Sequence, residues 1–289
     1  MGLTDPHVQL DSITKFYDAQ EKQLHALNDV SFGIEQGEFV CIVGPSGCGK
    51  STLLKIMAGL DRPSSGQIRF QGDPLFGPHP KISMIFQSFG LFPWRTVLEN
   101  VEYGLEMRKV PRNERRGFSR QYLEVVGLAG YEHMYPKQLS GGMKQRVGIA
   151  RALVVEPEVV LMDEAFSAID EVTADILREE VAEIHRETEK TFVLVTHNLS
   201  EAIELADKVV VLSSRPAKVK KIFPVKLERP RDRTHSSFLH IHKDILHLLK
   251  EELENTIIRH KLRGIKELQK LHDMEISGEP GKAKSQFVT

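Results

Sequence analysis

The segment GPSGCGKST, residues 44–52, constrains the fold of this chain more than any other stretch. Residues 44–51 match G-x-x-x-x-G-K-[ST]. They stand between an apolar run, FVCIVG, that predicts a buried strand and a segment, GKSTLLKIMAGL, that predicts a helix. Glycines let backbone N–H groups turn towards phosphate oxygens, and a helix N-terminus adds partial positive charge. The segment therefore predicts an α/β fold with a phosphate-binding loop between strand and helix.

Two side chains of this loop have predicted roles beyond backbone contacts. Lys50 has the reach to contact the β- and γ-phosphates of a nucleotide, and the Ser51 hydroxyl is a ligand for Mg²⁺. The alternative is a glycine-rich turn that binds nothing. The predicted nucleotide-binding residues of the loop are Gly44, Pro45, Ser46, Gly47, Cys48, Gly49, Lys50, Ser51 and Thr52.

An acidic pair follows a second apolar run. VVLMDE predicts a buried strand with Asp163 and Glu164 at its carboxyl end, the edge at which open parallel sheets bind ligands. Asp163 is the predicted partner of the magnesium shell, and Glu164 the group that accepts the proton of an attacking water. Alone, such a pair is more often a helix N-cap. Together with a phosphate loop, it favours a catalytic site.

Strand and helix patterns alternate along most of the chain. Residues 7–43 predict strands, and TFVLVTH and KVVVLSS predict further strands separated by helices, which indicates a mainly parallel sheet. Residues of about 88–152 show only helical periodicity and predict a helical lobe inserted into the α/β lobe. We expect one ATPase domain over 1–233. A helical tail over 234–289 follows, ending in a disordered segment.

A second candidate phosphate site lies far from the first. LSGG, residues 139–142, opens an amphipathic helix with a serine hydroxyl and two glycine N–H groups, which is an arrangement that suits an anion. The alternative is a helix N-cap and turn without a ligand.

Composition and charge limit the function classes. A net charge of −1 and a pI near 6.9 give no basic excess for nucleic acid. Two cysteines, Cys41 and Cys48, suggest neither disulfide nor metal site and fit a reducing compartment. The N-terminal residues do not resemble a signal peptide, and no apolar stretch approaches the ~20 residues of a membrane span. We expect a cytoplasmic protein unless a partner holds it at a membrane.

Taken together and in order, these motifs resemble those of the ATP-binding cassette (ABC) family, the motor subunits of ABC transporters. The resemblance covers roughly residues 7–230. It rests on the phosphate loop, MIFQSF, LSGGMKQ, VVLMDE followed by AFSAID, LVTHN and KFY. Ala165 and Ser167 depart from the proline and glycine that the family commonly shows, but neither position supplies a catalytic side chain.

The resemblance implies an ABC ATPase core of the RecA-like P-loop NTPase fold that binds ATP and Mg²⁺. Its implied catalytic residues are Glu164, the switch histidine His197 and the Q-loop Gln87. Ser51, Gln87 and Asp163 would be metal ligands. Tyr17 would stack on adenine, and Asp170 would belong to the D-loop. In the family two cassettes bind head to tail, so Ser140, Gly141 and Gly142 would contact the nucleotide of the second subunit.

LFPWRTVLENV, YPKQLSGGMKQRV and LSSRPAKV are similar to the nitrate/sulfonate/taurine branch of bacterial importers. That likeness implies a transmembrane permease, gripped near Gln87 and Trp94, and an extracytoplasmic solute-binding protein. The chain would then lie at the cytoplasmic face of the inner membrane. Internal packing is the alternative role for the Trp94 segment. An exporter motor, or a soluble ABC ATPase without a transport role, is the alternative function.

The C-terminal part carries two further patterns. Residues 215–233 hold eight Lys/Arg against two acids, which suits either a solvated loop or proximity to anionic headgroups. Six of twelve histidines lie between His235 and His272. Because His240, His242 and His247 do not share one helical face, an amphipathic helix packed on the cassette or its twin is favoured over a metal or pH sensor.

Overall fold

The phosphate loop lies at the carboxyl ends of the parallel strands of a six-stranded sheet. The computed structural model of the chain describes residues 6–254, except 20 and 21, together with residue 258. Over these residues the strands are β1 Val8–Ala19, β2 Lys22–Ile34, β3 Phe39–Val43, β4 Ser65–Phe70, β5 Asp73–Pro74, β6 Ile82–Ile85, β7 Val159–Asp163, β8 Thr191–Val195, β9 Lys208–Leu212 and β10 Val219–Pro224. The helices are α1 Lys50–Met57, α2 Val97–Met107, α3 Arg112–Val125, α4 Gly141–Leu153, α5 Glu171–Thr188, α6 Leu199–Leu205 and α7 236–254.

The large sheet has the order β10-β9-β3-β8-β7-β6. Five neighbouring strands, from β9 to β6, run parallel, and β10 pairs antiparallel with β9 at the edge. The prediction of a mainly parallel sheet from alternating strands and helices is therefore confirmed. A second, four-stranded antiparallel sheet of order β2-β1-β4-β5 contains the N-terminal strands. The sequence patterns do not separate these strands from the parallel ones.

Both faces of the large sheet are buried, which explains its continuous apolar strands. In β3, Cys41 and Val43 face a core shared with the helices α2 to α7. Val40 and Ile42 face a second core shared with α1 and the antiparallel sheet. Alternate residues of one strand thus join two different cores, as the period of two requires.

Between Ile85 and Val159 the chain is helical, without a strand. A capping box at Thr96 and Glu99 starts α2. Buried Asn100 fixes the preceding turn: it accepts from the backbone N–H of Phe92 at 2.8 Å and donates to the carbonyl of Thr96 at 2.9 Å. The helical segment expected over about 88–152 corresponds to α2, α3 and α4. The division of the chain into domains stays an interpretation.

The basic stretch 215–233 is built into the fold. It contains β10, and Arg231 is 9% exposed, with its guanidinium donating to the carbonyls of Glu204 and Val225 at 3.1 Å. Arg233 bridges Asp175 of α5 and Glu204 of α6, each at 2.7 Å. The interpretation of this stretch as a solvated loop is therefore wrong for its last part.

The predicted C-terminal helix is present as α7, which packs on the cassette through buried Phe238 and Ile245. His240 and His247 are exposed and pair with Asp244 and Glu251 on the same helix. Within the described ranges, no cluster of three or more His, Cys, Asp or Glu residues is arranged to hold a metal ion. The rest of the expected helical tail and its expected terminal disorder lie outside the described residues.

Candidate nucleotide site

The phosphate loop follows β3 and ends where α1 begins. Gly47 and Gly49 have φ of +71° and +124°, conformations that favour glycine. No side chain caps the N-terminus of α1, so the N–H groups of its first turn remain open to an anion. The loop borders a cleft of about 240 Å³ lined by Ser46, Gly47, Gly49, Lys50, Ser51, Thr52 and Glu164. This open helix end fits a nucleotide phosphate chain.

The Lys50 side chain points back into its own loop. Its buried ammonium donates to the carbonyl oxygens of Gly44 at 2.9 Å and Pro45 at 3.1 Å. These contacts satisfy the charge inside the loop. They also keep the ammonium at the position from which it can reach a phosphate oxygen.

Ser51 and Asp163 meet across the cleft. The Ser51 hydroxyl donates to Asp163 Oδ1 at 2.9 Å, joining the start of α1 to the end of β7. Burial raises the pKa of Asp163, and the neighbouring Glu164 adds to this, while the Ser51 hydrogen bond opposes it. A carboxylate and a hydroxyl at this distance are oxygen ligands of the kind that Mg²⁺ prefers.

Glu164 lies where two predicted catalytic residues converge. Gln87 Nε2 donates to Glu164 Oε2 at 2.9 Å, and His197 Nδ1 lies 3.5 Å from the same oxygen. Its φ of +46° is uncommon for a non-glycine residue, and its N–H continues the ladder to the Val195 carbonyl at 2.9 Å. The backbone is thus held in a left-handed conformation that directs the side chain to the cleft.

The convergence follows from strand order. Asp163 ends β7, while Gln87 and His197 follow its neighbours β6 and β8. Because parallel strands end at one edge, residues more than a hundred positions apart in the chain come together there.

Tyr17, near the end of β1 in the antiparallel sheet, lies beside α1. Its hydroxyl donates to Asp61 Oδ2 at 2.7 Å and lies 3.4 Å from the Thr52 hydroxyl. Lys15 lies 4.8 Å from the ring centroid. The half-buried ring is thus held by Asp61, a contact that the sequence patterns do not predict, close to the loop that ends at Thr52.

The second candidate phosphate site is separate from the first cleft. The Ser140 hydroxyl accepts from the Met143 N–H at 3.2 Å and caps α4. A Cβ placed on Gly142 would lie 2.5 Å from Cγ2 of Thr173, so α4 packs tightly on the start of α5. Asp170 caps that helix by accepting from the Thr173 N–H at 3.0 Å. None of Ser140, Gly141, Gly142 and Asp170 lines the cleft of the phosphate loop.

The sequence patterns do not predict a buried ion cluster that lies near His197. Arg178 of α5 is 2% exposed and contacts Glu171 at 2.9 Å, Glu201 at 3.5 Å and Glu204 at 3.6 Å, as well as Asp175. Burial raises the pKa of Glu201 to about 7, against the opposing effects of Thr196, Arg178 and His197. A buried arginine has no sequence signature, because its partners come from two different helices.

A groove of about 710 Å³ lies between α3 and α5. Its apolar lining includes Phe118, Tyr122, Val125, Leu153 and Ile184, and Glu156, Glu180, Glu183 and Glu187 also line it.

Nearer the start of α2, Trp94 is 71% exposed, whereas Phe92 packs on Tyr103 with ring centroids 4.6 Å apart. Phe92 is therefore packed internally, whereas Trp94 contacts the Phe92 ring at a centroid distance of 5.6 Å and leaves most of its surface exposed.

The fold and the phosphate loop define a P-loop NTPase, and the comparisons with known proteins specify the family. The ABC transporter family model matches residues 27–167. An uncharacterized ABC transporter ATP-binding protein of Methanocaldococcus jannaschii is 46% identical over 85% of this chain and 92% of its own length. The chain belongs to the ABC transporter ATP-binding family, whose cassettes bind ATP and are ATPases.

Two further relatives have names that specify import. An aliphatic sulfonates import ATP-binding protein of Bacillus cereus is 41% identical, covering 83% of this chain and 94% of that one. A nitrate import ATP-binding protein of Synechocystis is 42% identical, covering 79% and 88%. Among solved structures, a dimeric post-hydrolysis ATP-binding cassette bound to ADP and Pi matches with TM-score 0.69 and 33% identity. That match covers 76% of this chain and all of the other.

Proposed function

We propose that this chain hydrolyses ATP in a Mg²⁺-dependent reaction with Glu164 as general base. The observation that carries this is the convergence of Gln87 and His197 on one oxygen of Glu164, beside the Ser51–Asp163 pair. Lys50 and the N–H groups of the loop would bind the phosphates, and Ser51, Asp163 and Gln87 would hold Mg²⁺. When bound, the metal would supply positive charge that offsets the charge developing on the phosphate oxygens. Glu164 takes a proton from the attacking water, and His197 keeps the carboxylate oriented.

We infer that two copies, or this chain and a related cassette, form each complete site. Ser140, Gly141 and Gly142 stand at the start of α4, away from the cleft of their own phosphate loop, so an anion bound there belongs to another subunit. The dimeric structure of a similar cassette supports this arrangement. Asp170, which caps the helix beside the signature, would lie at the same interface, and Tyr17 would stack on adenine.

We propose that the chain is the motor of an importer for a small anion or related solute, acting from the cytoplasmic face of the membrane. Support comes from relatives named for sulfonate and nitrate import at 41–42% identity. No described helix is both long enough and apolar enough to cross a bilayer. A separate transmembrane permease would supply the channel, and an extracytoplasmic binding protein the solute. The second candidate is an exporter motor, since the catalytic residues are the same.

We propose the helical side of the cassette as the permease contact. An apolar groove bordered by glutamates suits an amphipathic helix with basic residues at its edges. Exposed Trp94 is a further aromatic anchor. Substituting Trp94 and Phe118 by alanine would weaken co-purification with the permease while leaving the nucleotide cleft intact.

The experiment is reconstitution of this chain, in liposomes, with a transmembrane permease that co-purifies with it. Solute-binding protein loaded with taurine, an alkanesulfonate or nitrate is added on the side opposite the cassette. ATP-dependent accumulation on the cassette side, lost with Glu164→Gln, would support import. Movement in the opposite direction would favour the exporter, and ATP hydrolysis insensitive to every membrane subunit would favour a soluble ATPase.

A further inference from the structure

The last described turn of α7 carries a buried carboxylate. In α7, Phe238 and Ile245 pack on the core, and Glu252 is 8% exposed. Glu252 Oε2 accepts from the Ser214 backbone N–H at 3.0 Å and from the Ser214 hydroxyl at 2.9 Å. Lys220 Nζ lies 2.6 Å from the other oxygen. The carboxylate therefore fixes Ser214 through charge-assisted hydrogen bonds.

Ser214 belongs to the loop 213–217, which leaves the end of β9 next to the phosphate loop. A Cβ placed on Gly44 would lie 3.2 Å from both Cβ and the carbonyl oxygen of Leu212, so the backbone of Gly44 rests directly on Leu212. Ser214 follows Leu212 two positions later in the chain. The N-terminal side of the phosphate loop thus rests on the strand end that leads into the Glu252 contact.

The same loop also supports the other side of the phosphate loop. The Ala217 N–H donates to the Ala26 carbonyl at 2.9 Å, and the Asn28 N–H donates to the Ala217 carbonyl at 2.9 Å. A Cβ placed on Gly49 would lie 3.1 Å from the same Ala26 oxygen. Gly44 and Gly49 are the two glycines that the phosphate-loop motif specifies. Gly44 therefore contacts Leu212, directly before the loop 213–217, and Gly49 contacts the Ala26 carbonyl, to which Ala217 of that loop is hydrogen-bonded.

We propose that Glu252 is a positioning residue for nucleotide binding: through Ser214 it holds the loop 213–217, and that loop holds the phosphate loop. This gives the C-terminal helix a role in ATP affinity. A substitution within a network of packed backbone and hydrogen bonds changes the affinity at a distant site by about two- to thirtyfold. The effect falls on nucleotide affinity, since Glu252 does not reach Glu164 or His197.

The proposal rests on the nucleotide-binding role of the phosphate loop, so the experiment includes a test of that role. Binding of Mg²⁺-ADP to the full chain is measured by titration calorimetry, because ADP lacks the γ-phosphate that a second subunit would contact. The variants are Glu252→Ala, Glu252→Gln, Ser214→Ala and Lys50→Ala. Glu251→Ala is the matched control, since its side chain is exposed and pairs with His247 one turn away.

We expect Glu252→Ala to weaken ADP binding about three- to thirtyfold, with an unchanged melting profile of the core. Ser214→Ala should be intermediate, because its backbone N–H still donates. Glu252→Gln should retain most of the affinity, because an amide oxygen still accepts from Ser214. Glu251→Ala should bind like the wild-type chain. If Glu252→Ala binds ADP with wild-type affinity while Lys50→Ala abolishes binding, the positioning role of Glu252 is overturned and the nucleotide site stands. ADP binding that is absent from the wild type, or unaffected by Lys50→Ala, would overturn the nucleotide site itself.

Amide hydrogen exchange separates positioning from general stability. Glu252→Ala should speed exchange in residues 213–217 and in residues 44–49, and not in the remote helix α3. Faster exchange confined to 213–217, with unchanged exchange at 44–49, would show that the loop does not hold the phosphate loop and would contradict the proposal.

Discussion

Gln87 Nε2 donates a hydrogen bond of 2.9 Å to Oε2 of Glu164, across 77 positions of the chain. The amide thus holds the carboxylate proposed as general base at the mouth of the nucleotide cleft. Because His197 Nδ1 lies 3.5 Å from the same oxygen, Glu164 has two neighbours that fix its orientation. Residues after three adjacent strands therefore meet at one atom.

Glu164→Gln should retain ATP binding and lose hydrolysis. The amide has nearly the same shape but does not accept the proton of water, and general-base catalysis is worth ~10²–10⁴-fold. Single-turnover ATP cleavage measures the loss, and gel filtration with ATP should reveal an accumulated dimer. The matched control is Glu179→Gln, an exposed acid of α5 outside the cleft. Near-normal turnover of Glu164→Gln would remove Glu164 from the proposed role.

ATP hydrolysis should rise more than linearly with protein concentration, because each complete site needs two chains. Rates are measured across the micromolar range together with sedimentation, which gives the fraction of dimer. The rate per chain should follow that fraction. A rate strictly proportional to concentration in a sample that sedimentation shows to be monomeric would contradict the shared site.

A mixture of two inactive variants should recover ATP cleavage. Lys50→Ala removes the phosphate grip of its own loop, and Ser140→Arg blocks the γ-phosphate bound by the other subunit. Each homodimer carries one defect in both sites. In a mixed dimer one site holds both defects and the other is intact, so up to about one site per dimer should turn over.

The controls for this mixture are each variant alone and a labelled sample that reports subunit exchange. If exchange is complete and cleavage does not return, ATP occlusion decides the reason. Occlusion without cleavage would mean that one intact site is insufficient. Absence of both would rule out the head-to-tail arrangement.

Arg178→Met should destabilise the chain by about 3–5 kcal/mol, because it leaves the buried carboxylate of Glu201 without its cation. Arg186→Met, an exposed arginine on the same helix, is the control and should change stability little. Urea unfolding of both variants measures the difference. Equal midpoints would show that the Arg178 cluster does not contribute to folding stability.

Glu201 should make stability depend on pH. Burial raises its pKa in the folded chain to about 7, above the unfolded value, so the folded state retains a proton that the unfolded state has lost. Its contribution to stability is full below the unfolded pKa and is lost as pH rises through 7, by at most about 1.4 kcal/mol per pH unit. Glu201→Gln should therefore gain stability relative to the wild type between pH 5 and 8.

Urea unfolding at each pH checks this difference, with Glu179→Gln, an exposed acid of α5, as the control. A constant difference between Glu201→Gln and the wild type across this range would contradict the raised pKa of Glu201 as its cause.

The sequence by itself determined the local elements of the site. The phosphate loop requires positive φ at Gly47 and Gly49, which favours glycine there, and the apolar run that ends at Asp163 indicates a buried strand. Each feature can be recognised from a few consecutive residues. The alternation of strands and helices likewise predicted the parallel sheet. These features depend on neighbours in the chain, and such neighbours are visible in a pattern.

Only the tertiary structure decided which side chains meet. Three contacts join segments more than ten residues apart: Tyr17 with Asp61, Arg178 with Glu201, and Glu252 with Ser214. No periodicity encodes such pairs, because each depends on how helices and loops cross after the core has formed. The packing of Arg231 against backbone carbonyls has the same origin: burial turned a basic stretch that reads as solvated into part of the fold.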